Sequence, residues 1–436
     1  MSPAERVFRI ACGLLFTVNF VIFWSVPIVV QGLLWKHLLS KVLLPVYNII
    51  DNNKYVRSFA ANYIYSNPKH ADFFVSSVTL LVNSSLSIGF MFYWQLKNGS
   101  LPWWLIAAYY FSWVGFGGRI MGAAYALAHK EGHNRGLYKK WIRDSVGHVF
   151  ENILGPMFGN VPWNFTTSHV FIHHRLDGGI GDTFYEWDLD RTNLAHFMLY
   201  IYRIAHHMCG ASSLKFFGAH GHKAKREMLR KGMIAYWSIA VAFLAITRSP
   251  SFVFWIYIQP FICMTYFLAL LNYGFHGFIE FDENGVNIPC INSTTIIDGD
   301  DDYFGEDDHM AHHYYPGVYY KDLAEHQKSK EAEFAKYKAS VFRGLSILEL
   351  SLFILFSQWD LLADHYVDYS GKLSREEIKH MLKERAVRRE TTYEKYEHYL
   401  SNPTPEARKA LQPEKKKSAA SSTEGGAAVV ASVTGQ

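Results

Sequence analysis

The chain of 436 residues carries a formal charge of +4, too small a surplus to suggest nucleic-acid binding. Half of its residues are hydrophobic and 16% are aromatic, bunched into long runs that point to a bilayer rather than to a soluble domain. Four cysteines without a CxxC pair indicate neither a disulfide framework nor a thiolate metal site.

Residues 8–34 form the first apolar run, too long for a cleaved signal and read as an anchor. Residues 73–96 and 101–128 follow, and all three runs exceed the ~20 residues that cross the hydrocarbon core. Arg119, the single charge of the third run, lies ten residues before His129. On one continuous helix that is roughly 15 Å down, near mid-membrane, where it lines a substrate tunnel or pairs with a polar group on a neighbouring span. Residues 233–247 and 252–271, separated only by Arg248 to Ser251, read as an antiparallel pair. The basic stretches Lys139, Lys140, Arg143 and Lys223, Lys225, Arg226, Arg230, Lys231 fall on the cytosolic side by the positive-inside bias.

Between the third and fourth spans, residues 193–208 carry a helical pattern expected in the interface plane. Residues 341–362 read as an interfacial or cap-packed helix, interrupted by Arg343, Glu349 and Asp360. Ser374 with Glu377 starts a charged helix reaching about residue 400, ended by Pro403 and Pro405. From Lys415 the Lys, Ser, Ala and Gly bias reads as a disordered tail. The expectation is an all-α polytopic membrane protein with about four to six spans and a cytosolic helical cap. Its parts would be an anchor (1–72), a catalytic domain (73–317), a helical extension (318–400) and a tail (401–436).

Nine of the 21 histidines form four groups. His129 and His133 in HKEGH lie four apart, so on a helix both rings point to one side. His169, His173 and His174 in HVFIHH repeat that step and add an adjacent ring, projecting about 100° away and able to reach a second ion. His309, His312 and His313 in HMAHH have the steps that gather rings toward one face, again with a doublet. NYGFHG places Asn272 and His276 four apart just after the fifth span. Nine ligands are too many for one ion, and the zincin pattern HExxH is absent because Glu131 is the wrong residue of HKEGH for that role. A dinuclear, redox-active iron site fits better, with copper a lesser option. Acidic residues before HMAHH, among them Glu306, Asp307 and Asp308, can orient imidazoles through their other N–H, and so can Asp177 and Asp182. His148, His206, His207, His220 and His222 read as structural or interfacial.

These boxes resemble those of the membrane fatty acid desaturase and hydroxylase superfamily, over residues 73–317. HKEGH looks like its first box, HVFIHH its second and HMAHH its third. The Asn and His of NYGFHG look like the extra ligand position after the second pair of spans. The resemblance implies metal ligands at His129, His133, His169, His173, His174, His276, His309, His312 and His313, with Asn272 holding a metal-bound water. It implies two Fe2+ ions, dioxygen as co-substrate, and removal of hydrogen from a fatty acyl chain in the endoplasmic reticulum membrane, facing the cytosol. Electrons would come from an external donor such as cytochrome b5 or a ferredoxin, since no HPGG haem element or Gly-rich flavin loop is present. The second box has three intervening residues rather than two, and NYGFHG is nearer the NYxEHYG pattern of alkane monooxygenases, with Phe275 in place of its Glu. A hydroxylase or alkane monooxygenase is therefore the nearest alternative; a histidine-rich metal-binding membrane protein is the alternative outside enzymes.

Overall fold

A long apolar run placed in lipid folds as a helix, because only there is every backbone N–H and C=O satisfied within the segment. In the computed structural model, which describes residues 2–283, 285–299, 302–390 and 410–411, the helices that build the membrane part and the site are α1 (Pro3–Phe23), α2 (Ser25–Asp51), α3 (Phe74–Asn98), α4 (Trp103–Val114), α5 (Arg119–His133), α6 (Phe165–His173), α7 (Leu194–Met208), α8 (Lys223–Thr247) and α9 (Pro250–Phe275), with shorter helices between them. Among the described residues five are long and apolar enough to cross a membrane: α1, α2, α3 with its leading turn, α8 and α9. Their outer faces expose Leu15, Ile22, Val82, Leu86, Val241 and Ile246, the apolar belt that lipid covers.

Two expected spans are built differently. The run 8–34 divides after Phe23, because Pro27 has no N–H to give the Phe23 carbonyl and its ring crowds that position. The run 101–128 is broken at Gly115–Gly118, where Gly115, Gly117 and Gly118 have φ of 71°, 63° and 72°. That is left-handed backbone, which glycine adopts without a Cβ penalty. The 12 residues of α4 are about 18 Å long, too short to cross alone. Arg119 therefore opens α5, beside a polar cavity that also holds Asp51, Arg57, Asp72 and Lys321.

The helix expected at 193–208 is α7, capped by Asn193 and packed on α1 and α9 through buried Phe197, Tyr200, Ile201 and Ile204. Beyond α9 the chain forms a cap with β1 (Thr295–Ile297), α10 (His309–Tyr314), β2 (Val341–Arg343), α11 (Ile347–Leu355), α12 (Trp359–His365) and α13 (Arg375–Val387). Residues 341–362 are thus not one helix. Val341–Arg343 pairs in parallel with Thr295–Ile297, Gly344 turns at φ 69°, and Ser346 with Glu349 forms a capping box that restarts a helix. The expected Ser374–Glu377 capping box starts α13. That helix ends at Val387 rather than near residue 400; Glu390 then donates its N–H to the Trp187 carbonyl at 2.7 Å. Pro403, Pro405 and the tail from Lys415 lie outside the described residues. The cap is seated on α9 by close contact with α11, where a Cβ on Gly274 would stand 2.1 Å from the Ser351 hydroxyl.

Candidate metal centre

The histidines reach one place from four directions. At the end of α5, His129 and His133 stand one turn apart with their Nε2 atoms 3.1 Å apart. The second box does not follow an α-helical step. The segment Phe165–His173 is π-helical, closing its hydrogen bonds five residues on rather than four. His169 and His174, five apart, therefore face the same side, with Nε2 atoms 3.0 Å apart, while His173 turns to the other. In the third box His309 and His313 face one way and His312 the other, so the three rings do not gather on one face. Two groups result: His129, His133, His169, His174 and His312 in the first; His173, His276, His309 and His313 in the second. Both doublets are divided between the groups, and the rings of His174 and His313 stack across the divide at 4.4 Å.

The donor set suits cations. In the first group Nε2 of His129 lies 3.1, 2.8 and 3.1 Å from Nε2 of His133, His169 and His312; in the second, His276 and His309 are 3.0 Å apart. Two nitrogens 3.0 Å apart that share one ion at about 2.1 Å subtend about 90°, the angle of five- or six-coordinate geometry rather than a tetrahedron. Nε2 of His173 and of His313 is buried with no hydrogen-bond partner, a cost that a bound cation removes. Burial also holds His133, His169, His174, His309 and His312 well below the usual imidazole range, and His276 down to about 3. Neutral rings keep their lone pairs for metal.

Carboxylates and carbonyls behind the rings fix which nitrogen faces inward. Nδ1–H of His129 donates to Glu306 at 2.8 Å, that of His173 to Asp182 at 2.9 Å, and that of His276 to the Asn292 carbonyl at 3.0 Å. Nδ1 of His313 lies 3.0 Å from Asp177. Since the acceptors bonded to His129, His173 and His276 can only accept, Nδ1 of those three rings carries the proton and Nε2 is left for the ion. Burial would raise the Glu306 carboxyl, but His129 and Lys130 hold it down to about 2. Of the three acidic residues expected before the third box, only Glu306 is hydrogen-bonded to a ring. Asp307 is buried with its carbonyl on the Ile296 amide, and Asp308 precedes α10 without a side-chain cap. Asn292 and Glu131 were not foreseen; Glu131 stands inside the first box, and its spacing could have flagged it.

Asn272 donates to the Tyr200 hydroxyl at 2.6 Å and lines a cavity of about 130 Å³ beside His129, His169 and His309. The rest of the lining is mostly apolar, with Met121, Leu268, Leu271 and Phe275, but Tyr125, Tyr303, Glu306 and Asp307 also reach it. A second cavity of about 220 Å³ reaches His174 and His313 and shares no lining residue with the first.

Membrane-crossing helices and a cap that closes two histidine groups over an apolar cavity define an integral membrane protein with a histidine-rich site able to hold metal. The sequence model of a family described as Fatty acid desaturase matches residues 101–344, and the chain belongs to that family. No curated protein and no solved structure gives a significant match.

Proposed function

We propose that the protein is an oxygen-dependent fatty acid desaturase of the endoplasmic reticulum membrane with two irons, one in each histidine group. The observation that carries this reading is the apolar cavity walled on one side by His129, His169 and His309. Two ferrous ions, when bound, supply dioxygen activation and hydrogen removal from an unactivated methylene. The balance is one dioxygen, two electrons and two protons for each –CH2–CH2– turned into –CH=CH– and two waters, with the electrons delivered by an external carrier such as cytochrome b5 or a ferredoxin.

The chain's own residues hold the acyl segment and exclude water. Met121, Leu268 and Leu271 offer it no hydrogen bond, so along that wall only its fit positions a methylene against the histidines. Asn272 is kept in place by Tyr200, its carbonyl left to receive a water. Glu306, Asp182 and the Asn292 carbonyl hold His129, His173 and His276 in the tautomer that presents Nε2.

Expression in yeast, with mass spectrometry of total lipids and iron analysis of the purified protein, tests the reading. Acyl chains lighter by two hydrogens, close to two irons per chain, and loss of both on H173A or H312A are expected. Chains gaining one oxygen would make it a hydroxylase, and iron-free protein with full activity would sink the proposal.

A further inference from the structure

Three cavities meet at one side chain. Tyr303 lines the histidine cavity, a second of about 400 Å³ between α2, α3 and α4, and a third of about 310 Å³ at the ends of α2 and α3. The four-residue break Gly115–Gly118 is shared between the first two, and Arg119 and Ser76 line both the second and the third. The three differ in chemistry. The second has a partly apolar wall of Trp35, Leu43, Phe111 and Ile120; the third is polar and holds six charged groups.

Those six charges are not paired off. Asp72 holds both Arg57, at 2.6 Å, and Lys321. Asp302 receives the amides of Gly305 and Asp307 at 3.2 and 3.1 Å. Among the described residues Arg119 has no carboxylate within ion-pair distance; its guanidinium lies 4.2 Å over the Trp35 ring and 5.8 Å from that of Tyr303. Asp51 likewise has no side-chain partner among the described residues. One cation and one carboxylate are thus left facing a single cavity, where a partly buried charge without a partner is costly.

Resting on the reading of the histidine cavity as the acyl site, we infer that the substrate is a diacyl phospholipid with a zwitterionic headgroup. Its phosphate binds Arg119, its amine cation binds Asp51, and its two chains occupy the two remaining cavities. The three-way junction at Tyr303 matches the three arms of such a lipid. An acyl thioester of a polyanionic carrier does not match, because the cavity offers as many carboxylates as cations. Arg119 lies ten residues before His129 on α5, about 15 Å along the helix. An extended chain advances about 1.25 Å per bond, given ~1.5 Å bonds at ~111°, so the interval is about a dozen steps, of which the glycerol and ester take the first few and roughly eight are acyl methylenes. The reacting carbon is then in the middle of a long chain rather than beside its carboxyl.

The test uses metal-loaded full-length protein in detergent, with retained lipids identified by native mass spectrometry after exposure to phosphatidylcholine, phosphatidylglycerol, stearoyl-CoA and free phosphocholine. Wild type is expected to retain phosphatidylcholine over the other three. R119Q and D51N should each lower that retention at least tenfold at unchanged iron per chain, and R119K should recover most of it. Equal retention by R119Q and wild type, preference for stearoyl-CoA or phosphatidylglycerol, or equal competition by free phosphocholine each overturns the inference. If R119Q loses iron, D51N and R119K carry the comparison. Retention is read separately from lipid products, so headgroup-dependent binding without new double bonds leaves this site standing and removes only the desaturase reading.

Discussion

The carboxylate of Glu131 accepts the backbone N–H of Glu151 at 2.7 Å, and that contact ties the first histidine pair to the second box. All four of its lone-pair positions are used. The amides of Val149 and Phe150 donate at 2.9 Å each, and the Tyr138 hydroxyl at 2.5 Å. Glu151 in turn receives the amide and hydroxyl of Thr166 at 2.8 and 2.6 Å, three residues before His169. Two buried carboxylates thus set the register between His133 and His169 without touching either ring.

Replacing Glu131 by Gln turns an amide N–H toward groups that themselves donate. Two of four charge-assisted bonds are lost, at a cost of roughly 3 kcal/mol or more. E131Q is expected to melt lower than wild type and to hold fewer metal ions in the first histidine group, read by thermal denaturation and metal analysis. An unchanged melt with full metal content would show that Glu131 has no such positioning role.

Glu306 touches a ring directly, so its loss should weaken metal binding more than folding. E306Q still offers an oxygen to His129 but loses its charge and the 2.9 Å pair with Lys130. Loss of such an outer partner typically lowers metal affinity by about 10- to 100-fold. Competition with a chelator should show that drop for E306Q and little change for D308N, whose side chain caps nothing. Equal affinities for the two variants would remove the distinction.

The site was more legible in the sequence than its grouping was. Nine histidines stand out because ligand spacing is local, and Asn272 and Glu306 lie one helical turn or a short loop from them. Their assignment to two groups was not legible, because the second box is π-helical and a fifth-residue step replaces the fourth. The third span was misread because hydropathy runs smoothly through GFGG, yet three glycines in four residues were the signal for a break. Residues 341–362 escaped because β2 forms only by pairing with Thr295–Ile297, a contact that no local pattern encodes.

That glycine break supports a prediction of its own. A Cβ on Gly117 would lie 2.6 Å from Cγ of Trp35, at a φ of 63° that L side chains rarely adopt. G117A must therefore strain the backbone and displace the ring on which Arg119 stacks. A loss of about 1–3 kcal/mol is expected, with reduced lipid retention and a changed distribution of product chain lengths. Wild-type melting and an unchanged product profile would place the break outside the substrate path.

His207 gives the protein a pH dependence that does not rest on the metal. It is buried, accepts or donates to the Thr183 hydroxyl at 2.9 Å, and is held by burial from 6.5 down to about 3. Its neutral form is favoured by folding, so above 6.5 neither folded nor unfolded chain takes up a proton there. As pH falls below 6.5 the unfolded chain binds a proton that the folded chain refuses. Stability then drops by up to about 1.4 kcal/mol per pH unit until the pH nears 3. H207Q removes the titrating group while keeping a hydrogen-bonding side chain for Thr183. Between pH 7 and pH 5, wild type should lose about 2 kcal/mol more than H207Q, measured by denaturant unfolding at matched metal content. The other buried imidazoles titrate equally in both proteins, so the difference isolates His207. Parallel profiles would mean that the ring is already protonated, or freely protonated, in the fold.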